Sequence, residues 1–164
     1  MAYDPLWVQW ERSLMKDLCN SISILLIVVT LVSAAQARPD LIVSKVTMIR
    51  DKSGIFVEKV EVTVTNGCRG SSSGPSDVLV TFKENEQPGA KAIYYVGNGV
   101  RALKGGESQT QTFNVAEKKI VFGRYVFVEA DPYKKVAEAS ENNNWRTLFP
   151  EDGGTMPNSA QCEK

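Results

Sequence analysis

The sequence contains no histidine, and this absence excludes most familiar catalytic schemes. Ser-His-Asp and Cys-His systems need an imidazole as the base, and many zinc sites need it as a ligand. The 19 Lys and Arg residues are balanced by 19 Asp and Glu, so no positive excess is available to bind nucleic acid phosphates. We therefore expect a protein that is not an enzyme, needs no cofactor and does not bind nucleic acid.

The chain also lacks an apolar run long enough to cross a membrane. The uncharged apolar segment 22–32 is too short for this, because a bilayer core needs ~20 apolar residues. Lys16 precedes this segment and Ala35-Gln36-Ala37 follows it, which is the pattern of a secretory signal peptide. We predict that residues 1–37 are an N-terminal extension and signal helix, beginning at Met1 or Met15. Cleavage before Arg38 would leave a secreted, periplasmic or cell-surface protein without a membrane span; a retained anchor helix is the alternative.

Cysteine is scarce, with three residues in the chain and two after the predicted cleavage site. These two are Cys68 and Cys162. In an oxidising compartment an even pair of cysteines predicts a disulfide bond. Two free thiols in a reducing compartment are the alternative.

Alternation of β-branched or aromatic residues with polar ones dominates the rest of the sequence, and Gly, Pro, Asn and Asp interrupt it every 8 to 15 residues. Short strands without crossover helices favour an antiparallel β-sandwich, which we expect over residues 38–149, followed by a C-terminal tail at 150–164. If the strands alternate in direction, the loops 67–76, 97–106 and 131–143 share one end. The predicted strands are 41–49, 56–65, 77–83, 92–96, 107–115, 122–130 and 145–149.

Three segments resemble CARDB, the cell-adhesion-related domain found in bacteria: VEVTVTNG at 60–67, LKGGES at 103–108 and DPYKKVAEASENNN at 131–144. The resemblance covers residues 39–149. It implies a seven-stranded antiparallel immunoglobulin-like or fibronectin-type β-sandwich in an exported bacterial protein, in a family associated with surface attachment and accessory modules. The residues that match the closing motif of the family in order are Asp131, Val136, Glu138, Glu141, Asn142 and Asn143.

Two catalytic interpretations fail on context. Residues 70–74 read GSSSG and match the G-x-S-x-G pattern of hydrolases, but that motif needs a strand-to-helix turn and a histidine. We expect a flexible Gly/Ser connection there instead. Glu138 and Glu141 are only three residues apart on one loop, too close in sequence to flank a sugar from opposite sides of a cleft.

The loop that follows the sixth predicted strand is the first candidate binding site. Its side chains carry the hard oxygens that calcium prefers, but Lys134 and Lys135 lie within the segment and oppose cation binding. We predict that these side chains order the loop by binding backbone amides and that no metal is required. A calcium-dependent module is the alternative. The candidate residues are Asp131, Glu138, Glu141, Asn142 and Asn143.

A face of exposed apolar side chains is the second candidate site. Alternation in the third, sixth and seventh predicted strands leaves apolar residues opposite the set expected to face the core. We predict a non-catalytic binding or structural module whose partner is an unknown protein or glycan at the cell envelope. Two alternatives are that residues 150–164 cover this face, or that it acts on an enzyme or assembly as an accessory factor. The residues are Leu79, Tyr125, Phe127, Trp145 and Phe149.

Overall fold

The computed structural model describes residues 37–148, except 86 and 88, and residues 160–162. Residues 1–36 of the predicted signal segment, Phe149 and most of the tail lie outside these residues. No helix within the described part of the chain is long and apolar enough to cross a membrane. The seven strands are β1 (Leu41–Arg50), β2 (Val57–Asn66), β3 (Ser76–Lys83), β4 (Ala92–Val100), β5 (Ser108–Asn114), β6 (Tyr125–Ala130) and β7 (Trp145–Leu148).

These strands form two sheets, one with the order β1-β2-β5 and the other with the order β4-β3-β6-β7. Every neighbouring pair is antiparallel. Strand β5 crosses to the other sheet and pairs with β2, and β6 crosses back and pairs with β3. Crossings of this kind between the two sheets are typical of an immunoglobulin-like Greek key. The predicted fold class is confirmed.

The core lies between the sheets and is built from the alternating residues of the two central strands. Val60, Val62 and Val64 of β2 are inaccessible to solvent, and so are Val78, Val80 and Phe82 of β3. Fully burying one such side chain stabilises the folded state by about 1.5 to 3 kcal/mol. The period of two in the sequence therefore places one face of each strand in the core.

Two predicted strand boundaries were wrong by more than one residue. Strand β4 does not stop at Val96 but continues through Gly97 and Gly99 to Val100, because these residues keep their register with β3. A Cβ atom at Gly97 would lie 3.1 Å from the carbonyl oxygen of Val78, so glycine permits close strand approach here. Strand β6 begins at Tyr125 rather than at 122, because Gly123 has φ +108° and forms a turn before the strand.

Glutamine side chains of β5 close the side of the sandwich where β4 and β5 lie next to each other. Gln111 donates its Nε2 to the carbonyl oxygen of Gly99 and accepts from Nδ2 of Asn98 through Oε1. Gln109 accepts from the backbone N–H of Arg101. These contacts hold the start of the β4–β5 connection against the other sheet.

Candidate functional site

The loops 67–76, 101–107 and 131–144 and the residues before β1 meet at one end of the sandwich. Ser73 N–H donates to the carbonyl of Leu103, and Gly106 N–H donates to that of Asn66. Asp131 N–H bonds to the carbonyl of Asp77, at the start of β3. The predicted grouping of the three loops is confirmed, although the middle loop is shortened by the extension of β4.

Asp131 orders the start of the 131–144 loop. Its φ of 47° lies in the left-handed region, which Asp tolerates better than most residues. Its carboxylate accepts hydrogen bonds from the N–H groups of Lys135 and Val136, at 3.0 and 2.8 Å. The side-chain cap predicted at this end of the loop is confirmed, and both oxygens of Asp131 are used in it.

Glu138 lies beneath the loop and is almost inaccessible to solvent. Its Oε2 accepts from the N–H of Leu41 at 2.5 Å, and its Oε1 accepts from Nδ2 of Asn144 at 3.0 Å. The carboxylate therefore ties the loop to the first residue of β1. It is not presented to an external ligand.

The other predicted loop residues do not form one group with Asp131. Glu141 is half-buried, and Asn142 is exposed with its N–H directed to Oγ of Ser140. Asn143 is buried and donates from Nδ2 to Oδ2 of Asp40 at 2.9 Å. The loop therefore divides into a buried cap at Asp131 and a second buried cluster around Glu138 and Asn143, which we call the inner cluster.

Sequence reasoning missed Asp40, which is fully buried at the centre of this inner cluster. Besides Asn143, its Oδ2 accepts from the N–H of Gln161, at 2.6 Å. Its own N–H donates to Oδ1 of Asn66. The signal was the position of Asp40, directly after a proline and before a strand, where Asp often bonds nearby amides.

Asn66, also missed, connects three chain segments from a fully buried position. Its Oδ1 accepts from the N–H groups of Asp40 and Cys68, both at 3.2 Å. Its Nδ2 donates to the carbonyl of Leu103 at 3.0 Å and to Oγ of Ser71. One side-chain amide therefore makes hydrogen bonds to several backbone groups at the end of β2.

The GSSSG segment differs from the flexible connection expected from its composition. Ser71 and Ser73 are buried. Ser71 donates to the carbonyl of Cys68 at 2.6 Å, and Ser73 accepts from the N–H of Leu103 at 3.0 Å. Ser71 bonds a backbone group of its own loop and Ser73 one of the neighbouring loop, so the expectation of a flexible linker was wrong.

A disulfide bond joins Cys68 to Cys162, as predicted, with 5.2 Å between the Cα atoms. Cys68 is buried at the end of β2, beside Asn66. The bond places residues 160–162 against this end of the sandwich, where Ala160 lies against Gly67 and leaves no room for a side chain there. The loop end is therefore covered by a segment from near the end of the chain.

Burial raises the pKa of Glu138 to about 8. The hydrogen bond from Leu41 opposes this rise, while the negative charges of Glu141, Asp131 and Asp40 add to it. A buried carboxylate next to other carboxylates binds a proton more tightly than a solvated one.

Stability should fall as the pH rises towards the raised pKa of Glu138. A proton bound more tightly in the folded state stabilises it fully below the unfolded pKa, near 4.5, and this contribution is lost as the pH approaches about 8. We expect the free energy of unfolding to drop by about 1 to 2 kcal/mol between pH 6 and pH 8. Urea titrations at a series of pH values between 6 and 8 measure this.

Glu138→Gln is the control for this pH dependence, because it removes the titrating group but keeps its shape. The amide oxygen can accept from Leu41, and the amide nitrogen can donate to Asn144 if the Asn144 amide rotates. The variant should lose the drop between pH 6 and pH 8. An unchanged slope in Glu138→Gln would assign the pH dependence to another group.

The outer face of the β4-β3-β6-β7 sheet carries the predicted apolar residues. Phe127 and Trp145 stack with 5.9 Å between ring centroids, and Lys83 lies over the Phe127 ring. Leu79 and Trp145 flank Glu129 on the two neighbouring strands. Tyr125 pairs with Lys83 in the next row. We call this surface, with Leu79, Tyr95, Tyr125, Phe127 and Trp145, the aromatic face.

Tyr95 is the most exposed member of the aromatic face, at 68% of its surface, and sequence reasoning missed it. It lies opposite Thr81, which lies opposite Phe127 on the other side. In the segment AIYYV at 92–96, alternation alone left both tyrosines as candidates for the outer face. The inner one, Tyr94, packs on the core next to Phe82.

Partial burial among these side chains raises the pKa of Glu129, and Lys134 and Lys83 oppose the rise. The carboxylate thus lies in a partly apolar environment on an outer surface.

The outer face of the other sheet is polar by contrast. Thr65 bonds through its hydroxyl to Ser44 on one side and Ser108 on the other, each at 2.7 Å. Thr63 bonds to Thr110 at 2.9 Å. We call this surface the hydroxyl face. The two outer faces therefore differ in chemistry, and the exposed rings of Tyr95 and Trp145 lie on one of them.

No arrangement that resembles a catalytic or metal centre is evident in residues 37–148 and 160–162. In particular, no three His, Cys, Asp or Glu side chains among these residues lie together as a metal site. The buried carboxylates of Asp40, Asp131 and Glu138 bind backbone and amide N–H groups instead. Within the described residues, they act as structural acceptors.

Strand order and the loop cluster define an immunoglobulin-like β-sandwich domain. The sequence profile of the CARDB family matches residues 38–148. The chain therefore belongs to the CARDB family, as its closing motif suggested. A comparison with curated protein sequences finds no significant match.

A solved structure shares the fold. It is the solution NMR structure of one domain of a "putative cell surface protein" from Methanosarcina acetivorans, and it is similar to this chain with a TM-score of 0.53. The two are 18% identical, over 76% of this chain and 97% of that one. At this level of identity the likeness concerns the fold alone.

Proposed function

We propose that this CARDB domain is a non-catalytic module of an exported protein that binds a partner protein or glycan at the cell envelope. The observation that carries the proposal is the aromatic face, where Tyr95 and Trp145 are exposed on a regular sheet. Aromatic side chains contribute much of the energy in protein interfaces, and a ring lying flat also stacks on sugar rings.

Location at the envelope is supported by two independent features. The segment 22–37 has the composition of a signal peptide, and an exported protein encounters the oxidising conditions in which the Cys68–Cys162 bond persists. The structural neighbour described above is also described as a cell-surface protein.

Site-specific crosslinking tests which face meets the partner. A photoreactive phenylalanine analogue at Tyr95 of the full chain, in cells of the producing organism, should crosslink to an envelope protein or glycan. The same analogue at Thr110, on the hydroxyl face, is the matched control and should give little product. Equal products at the two positions would contradict the proposal. Crosslinking to an enzyme or its assembly would instead favour the accessory-factor alternative.

Tyr95→Ala should separate binding from stability. Because the Tyr95 side chain is mostly exposed, its loss should change the free energy of unfolding by less than about 0.5 kcal/mol. Loss of an aromatic anchor should weaken binding to the crosslinked partner roughly tenfold or more. Denaturant titration and affinity measurement check the two effects, with Thr110→Ala as the control. Unchanged affinity would exclude Tyr95 from the interface.

A further inference from the structure

Strand β4 is an edge strand whose outer side is accessible. Within the described residues it pairs with β3 on one side and with no strand on the other. Tyr95 is 68% exposed, and Gly97 is also exposed. Since glycine has no side chain, the exposed atoms of Gly97 belong to the backbone. An accessible edge presents N–H and C=O groups that can pair with another strand.

Hydrogen bonds show which residues of β4 face this edge. The carbonyl of Gly99 accepts from Nε2 of Gln111 on β5, so it points away from β3. Backbone groups alternate in direction along a strand, and those of Gly97 and Tyr95 therefore also point away from β3. These groups are directed at the place where a further strand would lie.

The pairing of β3 with its two neighbours gives the same direction. The carbonyl of Asp77 accepts from the N–H of Asp131, which follows β6, so Asp77 directs its backbone groups toward β6. The next residue, Val78, must then face β4, where Asn98 lies opposite it. Even-numbered residues of β4 thus bond to β3, and odd-numbered residues face outward.

The accessible part of this edge is short and has a defined centre. A register shift interrupts the pairing with β3 before Tyr94. Glutamine side chains of β5 bond the carbonyl of Gly99 and the N–H of Arg101. The segment 94–98 remains between these two limits, and Val96 is its central residue.

The other sheet edges carry features that oppose pairing with another chain. Strand β1 has two register shifts and an exposed Lys45. Strand β7 has four residues, and its Arg146 donates to the carbonyl of Ser44 in β1. Bulges, lysines and short strands are the usual protection of a sheet edge. The segment 94–98 reads YYVGN and contains neither a charge nor a proline.

A second copy of this chain matches the edge in charge and in register. The segment is uncharged, and the chain balances 19 basic with 19 acidic residues, so repulsion between copies is small. In an antiparallel pair with a two-fold axis at Val96, Tyr95 of each copy lies opposite Gly97 of the other. These outward-facing residues then exchange both of their backbone hydrogen bonds. A tyrosine ring can cover the glycine opposite it, a pairing that stabilises glycine in edge strands.

We propose that two copies of this chain associate through their β4 edges, antiparallel about a two-fold axis at Val96. The two four-stranded sheets then form one eight-stranded sheet, and Val96, half-buried in one copy, contacts its counterpart across the axis. The dimer presents two aromatic faces on one sheet, which favours bivalent binding. The association uses the backbone of β4 and needs no envelope partner, so it and the proposed function can fail separately.

Sedimentation velocity of the purified, disulfide-bonded protein tests the association. An interface of one short strand pair is small, so we expect a Kd above about 1 μM and a dimer that forms between about 1 μM and about 1 mM protein. A wild type that stays monomeric up to the highest of these concentrations would overturn the proposal.

Tyr95→Pro should abolish the dimer. Proline lacks the N–H that bonds Gly97 of the second copy, whereas the bonds to β3 remain, because Tyr95 faces outward. Tyr95→Thr is the matched control, since it also loses the ring but keeps the N–H. It should still dimerise, with a Kd raised roughly tenfold or less. Unchanged dimerisation of Tyr95→Pro, or equal loss in the two variants, would contradict pairing through the backbone.

A second measurement does not depend on any variant. Hydrogen exchange of the wild type, followed by NMR, should slow at the N–H groups of Tyr95 and Gly97 as the protein concentration rises, and should stay constant along β1. A dimer without this slowing, or with equal slowing along β1, would assign the association to another surface and overturn the proposal. A crosslink from position 95 to a second copy has twice the mass of the chain, which distinguishes it from a crosslink to an envelope partner.

Discussion

Removing the Cys68–Cys162 bond should lower the free energy of unfolding by about 4 to 5 kcal/mol. The bond closes a loop with a sequence separation of 94, and in the chain-entropy model a loop of this length restricts the unfolded chain by that amount. For a domain of this size the melting temperature should fall by roughly 10 to 25 °C. Urea titration and calorimetry of Cys68→Ala/Cys162→Ala measure the effect.

Reduced wild-type protein is the matched control for the double alanine variant, since it loses the same bond without any change of side chain. Both forms should also lose the contact between the N–H of Gln161 and Asp40, because the disulfide is the crosslink that holds the 160–162 segment against this end of the sandwich. A loss smaller than about 1 kcal/mol in both forms would mean that the unfolded chain stays compact without the bond.

Asn66→Ala should destabilise the domain by roughly 3 to 6 kcal/mol. The substitution leaves the N–H groups of Asp40 and Cys68 and the carbonyl of Leu103 without their side-chain partner, and each buried group costs about 1 to 3 kcal/mol. The position is fully buried, so water cannot easily replace the amide. Chemical denaturation at a fixed pH gives the value.

Asn98→Ala is the matched control, because Asn98 is exposed and its side chain bonds only Gln111, across the β4–β5 side, and the N–H of the adjacent Gly99. It should cost less than about 1 kcal/mol. Similar losses in the two variants would show that burial and multiple bonding at Asn66 do not determine the effect.

Strand positions could be read from the sequence where alternation was regular. The valines of β2 alternate with charged residues and threonine, and the structure places them in the core as expected. The predicted end of β4 was wrong, because Gly97 and Gly99 are typical of a turn when only the local sequence is considered. Their strand conformation depends on pairing with β3, a neighbour that local sequence does not reveal.

The loop between β6 and β7 lies where the strand pattern predicted it, but its hydrogen bonding was only partly predicted. Asp131 caps amides four and five residues ahead, a local interaction that composition suggests. Glu138 bonds Leu41, 97 residues away, and Asn143 bonds Asp40, 103 residues away. Contacts at such separations leave no periodic trace in a single sequence, so the burial of these groups was not foreseen.

By itself, then, the sequence determined the β-sandwich class, the pairing of the cysteines and the family, because alternation, residue counts and a closing motif are properties of the linear chain. Only the tertiary structure decided that β1 and β5 flank β2, that Tyr95 joins Phe127 and Trp145 on one outer face, and that Asp40 meets Asn143. Sheet order and side-chain burial depend on which distant segments pack together. The free energy that favours one packing over another comes from the whole core and not from any local pattern.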